Sequence, residues 1–270
     1  LGSNFRKNED LNDYLVRNHI PGIQGIDTRA LTKLLRNDGC MNGMITTHKY
    51  EVSEVIDKIK AFKVQGVVKA CTCKEKHTVG TGRMKVALYD FGAKRNIANE
   101  LAKRNCEVTV FPATTPASEV LEGNFDGIML SNGPGDPAEV TDIIAEVKKL
   151  SESGMPIFAI CLGHQLMALA HGFKTEKLKY GHHGANHPVK DLDTNRVYIS
   201  TQNHNYVIKD DSIDPAVAKA WFRNVNDGTI EGVEYLNKNI KTVQFHPEAN
   251  AGPRDTEYLF DEFIKMMEGK

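Results

Sequence analysis

Five cysteines in 270 residues, an odd number at irregular spacing, make no disulfide framework, and their use suits a reducing cytoplasm, the compartment expected here. The chain lacks any run of 18 or more apolar residues and any signal-peptide core, so neither a membrane partner nor secretion is indicated. An excess of one charge is missing too. Lys and Arg number 34 against 35 Asp and Glu, a formal net charge of −1, and without a dense basic block a nucleic-acid partner is not expected. The short basic stretch from Lys174 to Lys179 reads as a solvated face. No internal repeat, low-complexity tract or glycine loop followed by Lys-Ser/Thr is present, so nothing in the chain is expected to hold ATP. What remains, 40% hydrophobic and 26% charged residues, describes a soluble globular protein with room for one large or two modest domains.

Amphipathic spacing predicts helices over 9–18, 28–36 and 53–63, the second capped by Asp27 or Thr28. The stretch Thr78-Val-Gly-Thr-Gly-Arg83 reads as a linker. From Met84 onward strands and helices alternate: strands over 85–89, 107–111, 127–130 and 157–161, helices over 94–104 and 138–151. Short strands near 197–202, 218–223, 229–236 and 240–245 and a last helix over 256–267 follow. This alternation predicts an α/β fold, a parallel or mixed sheet with helices on both faces.

Two strand ends carry chemistry. Pro156-Ile-Phe-Ala-Ile-Cys-Leu-Gly-His-Gln165 is an apolar run that stops at Cys161 and turns into a helix start, an arrangement that exposes a nucleophile among backbone N–H groups. Val243-Gln-Phe-His-Pro-Glu248 ends in an imidazole and a carboxylate two residues apart. A thiol needs a base to become a nucleophile near neutral pH, and the base needs a third group to fix its tautomer. Cys161, His246 and Glu248 supply those parts, and parallel strands ending at one sheet edge can bring them together. Leu162 N–H is the natural donor to an oxyanion formed at Cys161.

The pattern Cys161-Leu-Gly-His-Gln165 with Phe245-His-Pro-Glu248 resembles the class I (triad) glutamine amidotransferases. Leu88-Tyr-Asp-Phe-Gly-Ala-Lys-Arg-Asn96, Ser131-Asn-Gly-Pro-Gly-Asp-Pro137 and Tyr180-Gly-His-His-Gly-Ala-Asn-His-Pro188 are similar to the glutamine-hydrolysing small subunit of carbamoyl phosphate synthetase. Ser3-Asn-Phe-Arg6 and Gly25-Ile-Asp-Thr-Arg-Ala-Leu-Thr32 match that subunit's amino-terminal domain. The resemblance implies a flavodoxin-like amidotransferase domain over 84–270 and part of the small-subunit amino-terminal domain, with its linker, over 1–83. It places Leu1 in mid-domain, so an upstream portion, with a glutamine-contacting serine, is expected to precede this sequence.

The resemblance also implies roles. Gly133 joins Leu162 as the second oxyanion donor, Gly135 lines the glutamine site, and Gln165 and Asn203 contact the amino-acid end of glutamine. The segment Gln202-Asn-His-Asn-Tyr206 departs from the family's Q-N-H-G-F, putting Asn205 and Tyr206 at substrate-contacting positions. No cofactor is implied for this chain. A large synthetase subunit, in a heterodimer or larger assembly, would use ATP and Mg and take up the ammonia, for arginine and pyrimidine synthesis. Two other readings stay open: a free-standing γ-glutamyl cysteine hydrolase on the same fold, and a non-catalytic regulatory subunit. His182, His183 and His187, and separately Cys71, Cys73 and His77, lack C-x-x-C knuckles or an H-E-x-x-H helix, so no metal site is expected and the loop histidines are expected to make hydrogen bonds. His164 and His204 are assigned no chemistry.

Overall fold

The computed structural model describes residue 5 and residues 7–249 and 251–269, so most of Ser3-Asn-Phe-Arg6 lies outside the described residues. It forms two units, Leu1–Lys63 and Val64–Lys270. The first carries helices α1 (Leu11–Arg17), α2 (Thr28–Asp38) and α3 (Val52–Ala61). The Asp27 carboxylate accepts from Ala30 N–H at 2.9 Å, the N-cap expected from the sequence. No residue of these three helices is buried.

In the second unit, helix α4 (Val67–Cys71) and strand β1 (His77–Val79) precede β2 (Met84–Asp90), α5 (Arg95–Lys103), β3 (Cys106–Pro112), α6 (Ala117–Leu121) and β4 (Gly127–Leu130). Then come α7 (Thr141–Ser151), β5 (Ile157–Ile160), α8 (Leu162–Ala170), β6 (Thr175–Asp191), β7 (Val197–Ile208), β8 (Ala218–Asn224), β9 (Ile230–Tyr235), β10 (Ile240–Val243) and α9 (Leu259–Met267). The strands form one sheet in the order β1-β3-β2-β4-β5-β10-β9-β8-β6-β7. The block β3-β2-β4-β5-β10 is parallel, and the pairs beyond it on both sides are antiparallel.

Period-2 alternation along β2 explains the layering. Val86 and Leu88 join a core with Ile97 and Leu101 of α5 and Phe260 and Phe263 of α9. Ala87 and Tyr89 join the opposite core with α6, α7 and α8, through Val120, Ile143, Val147 and Leu166. Burying each large aliphatic side chain contributes about 1.5–3 kcal/mol, so both helical layers are held by burial. Among the described residues, no helix is long and apolar enough to cross a membrane.

Two expectations need correction. The stretch read as a linker is not one: Thr78 and Val79 pair antiparallel with Thr109 and Val108, and Val68 of α4 is buried, so the second unit begins at Val64 rather than after residue 83. A three-residue strand has too short a pattern to be recognised from sequence. The glycine-rich stretch 180–188, read as a loop, lies within the long strand β6, which pairs with β7 across two register shifts. Its glycines, proline and histidines have low strand propensity, and cross-strand pairing overrides it.

Candidate active site

The end of β5 delivers Cys161. Ile160 pairs with Val243 of β10, and Cys161 N–H donates to the Val243 carbonyl at 2.8 Å, fixing the nucleophile beside the strand that leads to His246. Cys161 then adopts φ +52°, ψ −102°, outside the regions an L-residue favours, at a cost of about 1–3 kcal/mol. The turn starts α8 at once. Gly163 N–H donates to the Ser131 carbonyl at 3.0 Å, and a Cβ on Gly163 would come within 2.6 Å of the Leu130 carbonyl oxygen. A glycine is therefore required where α8 seats on the end of β4.

His246 follows β10 and is held by its N–H, which donates to the Thr201 carbonyl of β7 at 2.9 Å. Its Nδ1 lies 2.7 Å from Glu248 Oε1, and both residues are buried. Burial alone would push the imidazole down; the charge of Glu248, then that of Cys161, outweighs it and raises the imidazole to about 9. Glu248 moves the other way, since His246 and then Lys94 overcome its burial. The Lys94 ammonium lies 3.2 Å from Glu248 Oε1, and the Asn96 side chain donates to the Glu248 carbonyl. Neither contact was read from the sequence, although both residues stand in a motif that carried the resemblance. A lysine and an asparagine at a helix start look like ordinary first-turn residues.

Cys161, His246, Gly133, Gly135, Gln165, Asn203, Asn205 and Tyr206 line one cleft of about 440 Å³. Glu248 supports His246. The Leu162 side chain is buried and packs close to Gly133, where a Cβ would lie 2.6 Å from Leu162 Cδ2 and 2.4 Å from the Phe91 carbonyl oxygen. Gly133 thus lets the loop after β4 pack tightly against the nucleophile turn. That loop is stapled to the one after β2: Asn132 Oδ1 accepts from Lys94 N–H at 2.9 Å, and Ser131 Oγ accepts from Phe91 N–H at 2.9 Å. Gly135 has φ +97°, a left-handed conformation natural to glycine.

Gln165 turns inward. Its Nε2 donates to the Tyr206 carbonyl at 2.8 Å and to Gln244 Oε1 at 2.9 Å, tying α8 to β7. The side-chain oxygens of Asn203 and Asn205 face the two ring nitrogens of His183, at 3.0 and 3.2 Å. Burial, and then Asp136, push the Tyr206 phenol up to about 12. Among the other histidines, His164 Nδ1 meets Thr242 Oγ1 at 2.7 Å, and burial takes His164 down to about 3.

The arrangement is a buried imidazole–carboxylate pair beside a thiol on a strained turn, with helix-start N–H groups next to it. Such a site suits attack on an amide carbonyl. The profile of the family "Glutamine amidotransferase class-I" matches residues 87–266, and that of "Carbamoyl-phosphate synthase small chain, CPSase domain" matches residues 2–45. The carbamoyl phosphate synthase small chain of Clostridium perfringens is 48% identical over 263 residues, covering 97% of this chain and 74% of that one. The Listeria monocytogenes small chain is 46% identical over all of this chain and 74% of its own length. The Salmonella typhimurium small chain is 45% identical, covering 99% of this chain and 75% of its own. A crystal structure of a putative GMP synthase protein from Thermoplasma acidophilum shares the fold at TM-score 0.61 and 22% identity, covering 69% of this chain and 94% of that one. The chain belongs to the carbamoyl phosphate synthase small chain family, and its second unit is a class-I glutamine amidotransferase domain.

Proposed function

We propose that this chain hydrolyses glutamine to glutamate and ammonia at Cys161 and supplies the ammonia to a carbamoyl phosphate synthase large subunit, in the cytoplasm. The observation that carries the chemistry is the 2.7 Å pair of His246 and Glu248, with His246 lining the same cleft as Cys161. His246 takes the thiol proton, and the Cys161 sulfur attacks the side-chain amide carbon. Negative charge develops on the amide oxygen, where the N–H groups of Leu162 and Gly133 receive it. The imidazolium returns its proton to the leaving nitrogen as the C–N bond breaks, releasing ammonia and leaving a thioester on Cys161. Water, giving a proton to His246, attacks the thioester; glutamate leaves and the thiol is restored. Glu248 fixes the Nδ1–H tautomer and stabilises the imidazolium. Gly135, Gln165, Asn203, Asn205 and Tyr206 frame the amino-acid end of the substrate.

The large subunit would consume ATP, with Mg, and bicarbonate, for arginine or pyrimidine synthesis, and this chain would need no cofactor of its own. A glutaminase assay with and without a family large subunit tests the reading. Glutamate release that depends on Cys161 and rises with the large subunit is the expected result, and turnover only of γ-glutamyl peptides would replace it with a free-standing hydrolase.

A further inference from the structure

Strand β7 turns two faces to two different tasks. Its residues Gln202 and His204 are buried, while Asn203 and Asn205, alternating with them, line the catalytic cleft. The neighbouring strand β6 pairs His182 with His204 and His183 with Asn203, so the same division runs across both strands. On the buried face the polar groups bond to one another: His182 Nδ1 and Nε2 lie 3.2 and 2.8 Å from the carboxylates of Glu231 and Asp227, and His204 Nε2 lies 2.8 Å from Gln202 Oε1. On the cleft face one ring spans two substrate-facing side chains. His183 Nδ1 lies 3.0 Å from Asn203 Oδ1, and His183 Nε2 lies 3.2 Å from Asn205 Oδ1. His183 is exposed and has no part in the chemistry of Cys161, His246 and Glu248.

This bridge depends on an irregular crossing of the two strands. The register shifts between Lys177 and His182, and Gly181, inside that shift, has φ +68°. A Cβ there would lie 2.4 Å from the His204 carbonyl oxygen and 2.7 Å from both Asn205 Oδ1 and His183 Nε2. A glycine at 181 therefore leaves the room in which ring and amide meet. The contact tolerates either tautomer. A ring nitrogen that carries hydrogen donates to an amide oxygen, a bare one accepts from an amide N–H, and each asparagine side chain can be turned over to suit. Asn203 stands at a position implied to contact glutamine, and Asn205 stands where the family has glycine. A glycine at 205 would offer the ring no side chain, so the asparagine turns a single contact into a bridge.

We propose that His183 is a positioning residue that clamps the side chains of Asn203 and Asn205 where they receive the amino-acid end of glutamine, and that Asn205 gives the clamp its second point in this chain. The proposal rests on the glutamine site described above. Each exposed hydrogen bond is weak by itself, since water competes for it. Two on one rigid ring cost little extra ordering, because seating the ring on Asn203 also brings it to Asn205. Without the ring, the substrate itself would have to order both side chains, and glutamine would bind more weakly. The catalytic groups are untouched by that loss, so bound glutamine should still react at close to the usual rate.

Glutaminase kinetics of His183→Ala, Asn205→Gly and the double variant test the clamp. His183→Ala should raise KM about three- to tenfold and leave kcat within about twofold of wild type. In the Asn205→Gly background, where one point of the clamp is already gone, the same change should raise KM by a smaller factor, because the two residues share a contact. His183→Gln, whose amide reaches about as far as Nε2, should recover part of the lost affinity. An unchanged KM in His183→Ala, a fall in kcat alone, or effects of the two substitutions that simply multiply would overturn the proposal. Side-chain amide 15N NMR needs no turnover and separates the clamp from the glutamine reading. His183→Ala should move the Asn203 and Asn205 amide signals together. Signals that stay in place overturn the clamp, whereas shifted signals in a protein whose wild type turns over no glutamine overturn the glutamine reading instead.

Discussion

Cys161, His246 and Glu248 are coupled, so their substitutions should not be equivalent. Cys161→Ser replaces a thiol with a far weaker nucleophile, and steady-state glutaminase activity should fall by several orders of magnitude with the fold intact; retention of a tenth or more would put the nucleophile elsewhere. His246→Asn should be nearly as damaging, whereas Glu248→Gln keeps a base and should cost less. The pH profile follows from the raised imidazole. His246 must be protonated to release ammonia, so kcat/KM should decline as pH passes about 9. Glu248 is the largest charge raising it, so Glu248→Gln should shift that limb toward the ordinary histidine value of about 6.5. A limb that stays in place would remove Glu248 from the pair. The sign for stability is the same: the raised imidazole contributes most below about 6.5, its unfolded value, and the contribution disappears as pH climbs through about 9.

At the scale of elements, the nucleophile turn depends on close backbone approach, and at Gly163 α8 comes so near the end of β4 that a Cβ would lie 2.6 Å from the Leu130 carbonyl oxygen. Gly163→Ala should destabilise the second unit by about 1–3 kcal/mol in denaturant unfolding and reduce glutaminase activity with it. An unchanged midpoint would mean the helix start can move without cost. These same elements show what the sequence conveyed. The strand 127–130 and the apolar run into Cys161 were legible because fully buried parallel strands are short apolar runs bounded by turn residues. The cysteine, histidine and glutamate were legible because each stands at a strand end. β6 was not, since its residues Gly181, His182, His183 and Gly184 follow no period-2 pattern and are held as a strand by β7. Nor could the Lys94 contact to Glu248 be read, because it joins residues 154 positions apart through a side chain with no local pattern.

For the whole molecule, an isolated glutaminase that ran freely would release ammonia with no acceptor. The chain alone should therefore be slow, and addition of a carbamoyl phosphate synthase large subunit with bicarbonate and ATP should speed glutamate release. In that complex Cys161→Ser should abolish synthesis from glutamine while synthesis from free ammonia continues; loss of both would point to failed assembly. The backbone at Cys161 has a further consequence for the stability of the whole second unit. At most positions glycine is less stabilising than alanine by about 0.5–1 kcal/mol, but at φ +52° that order should invert. Cys161→Gly should melt above Cys161→Ala, because the first relaxes a torsion that the second retains. The fold would then be most at ease with glycine, a residue that leaves the site without a nucleophile, and the requirement for a nucleophile, not the requirement for a stable sheet, keeps a side chain at that turn.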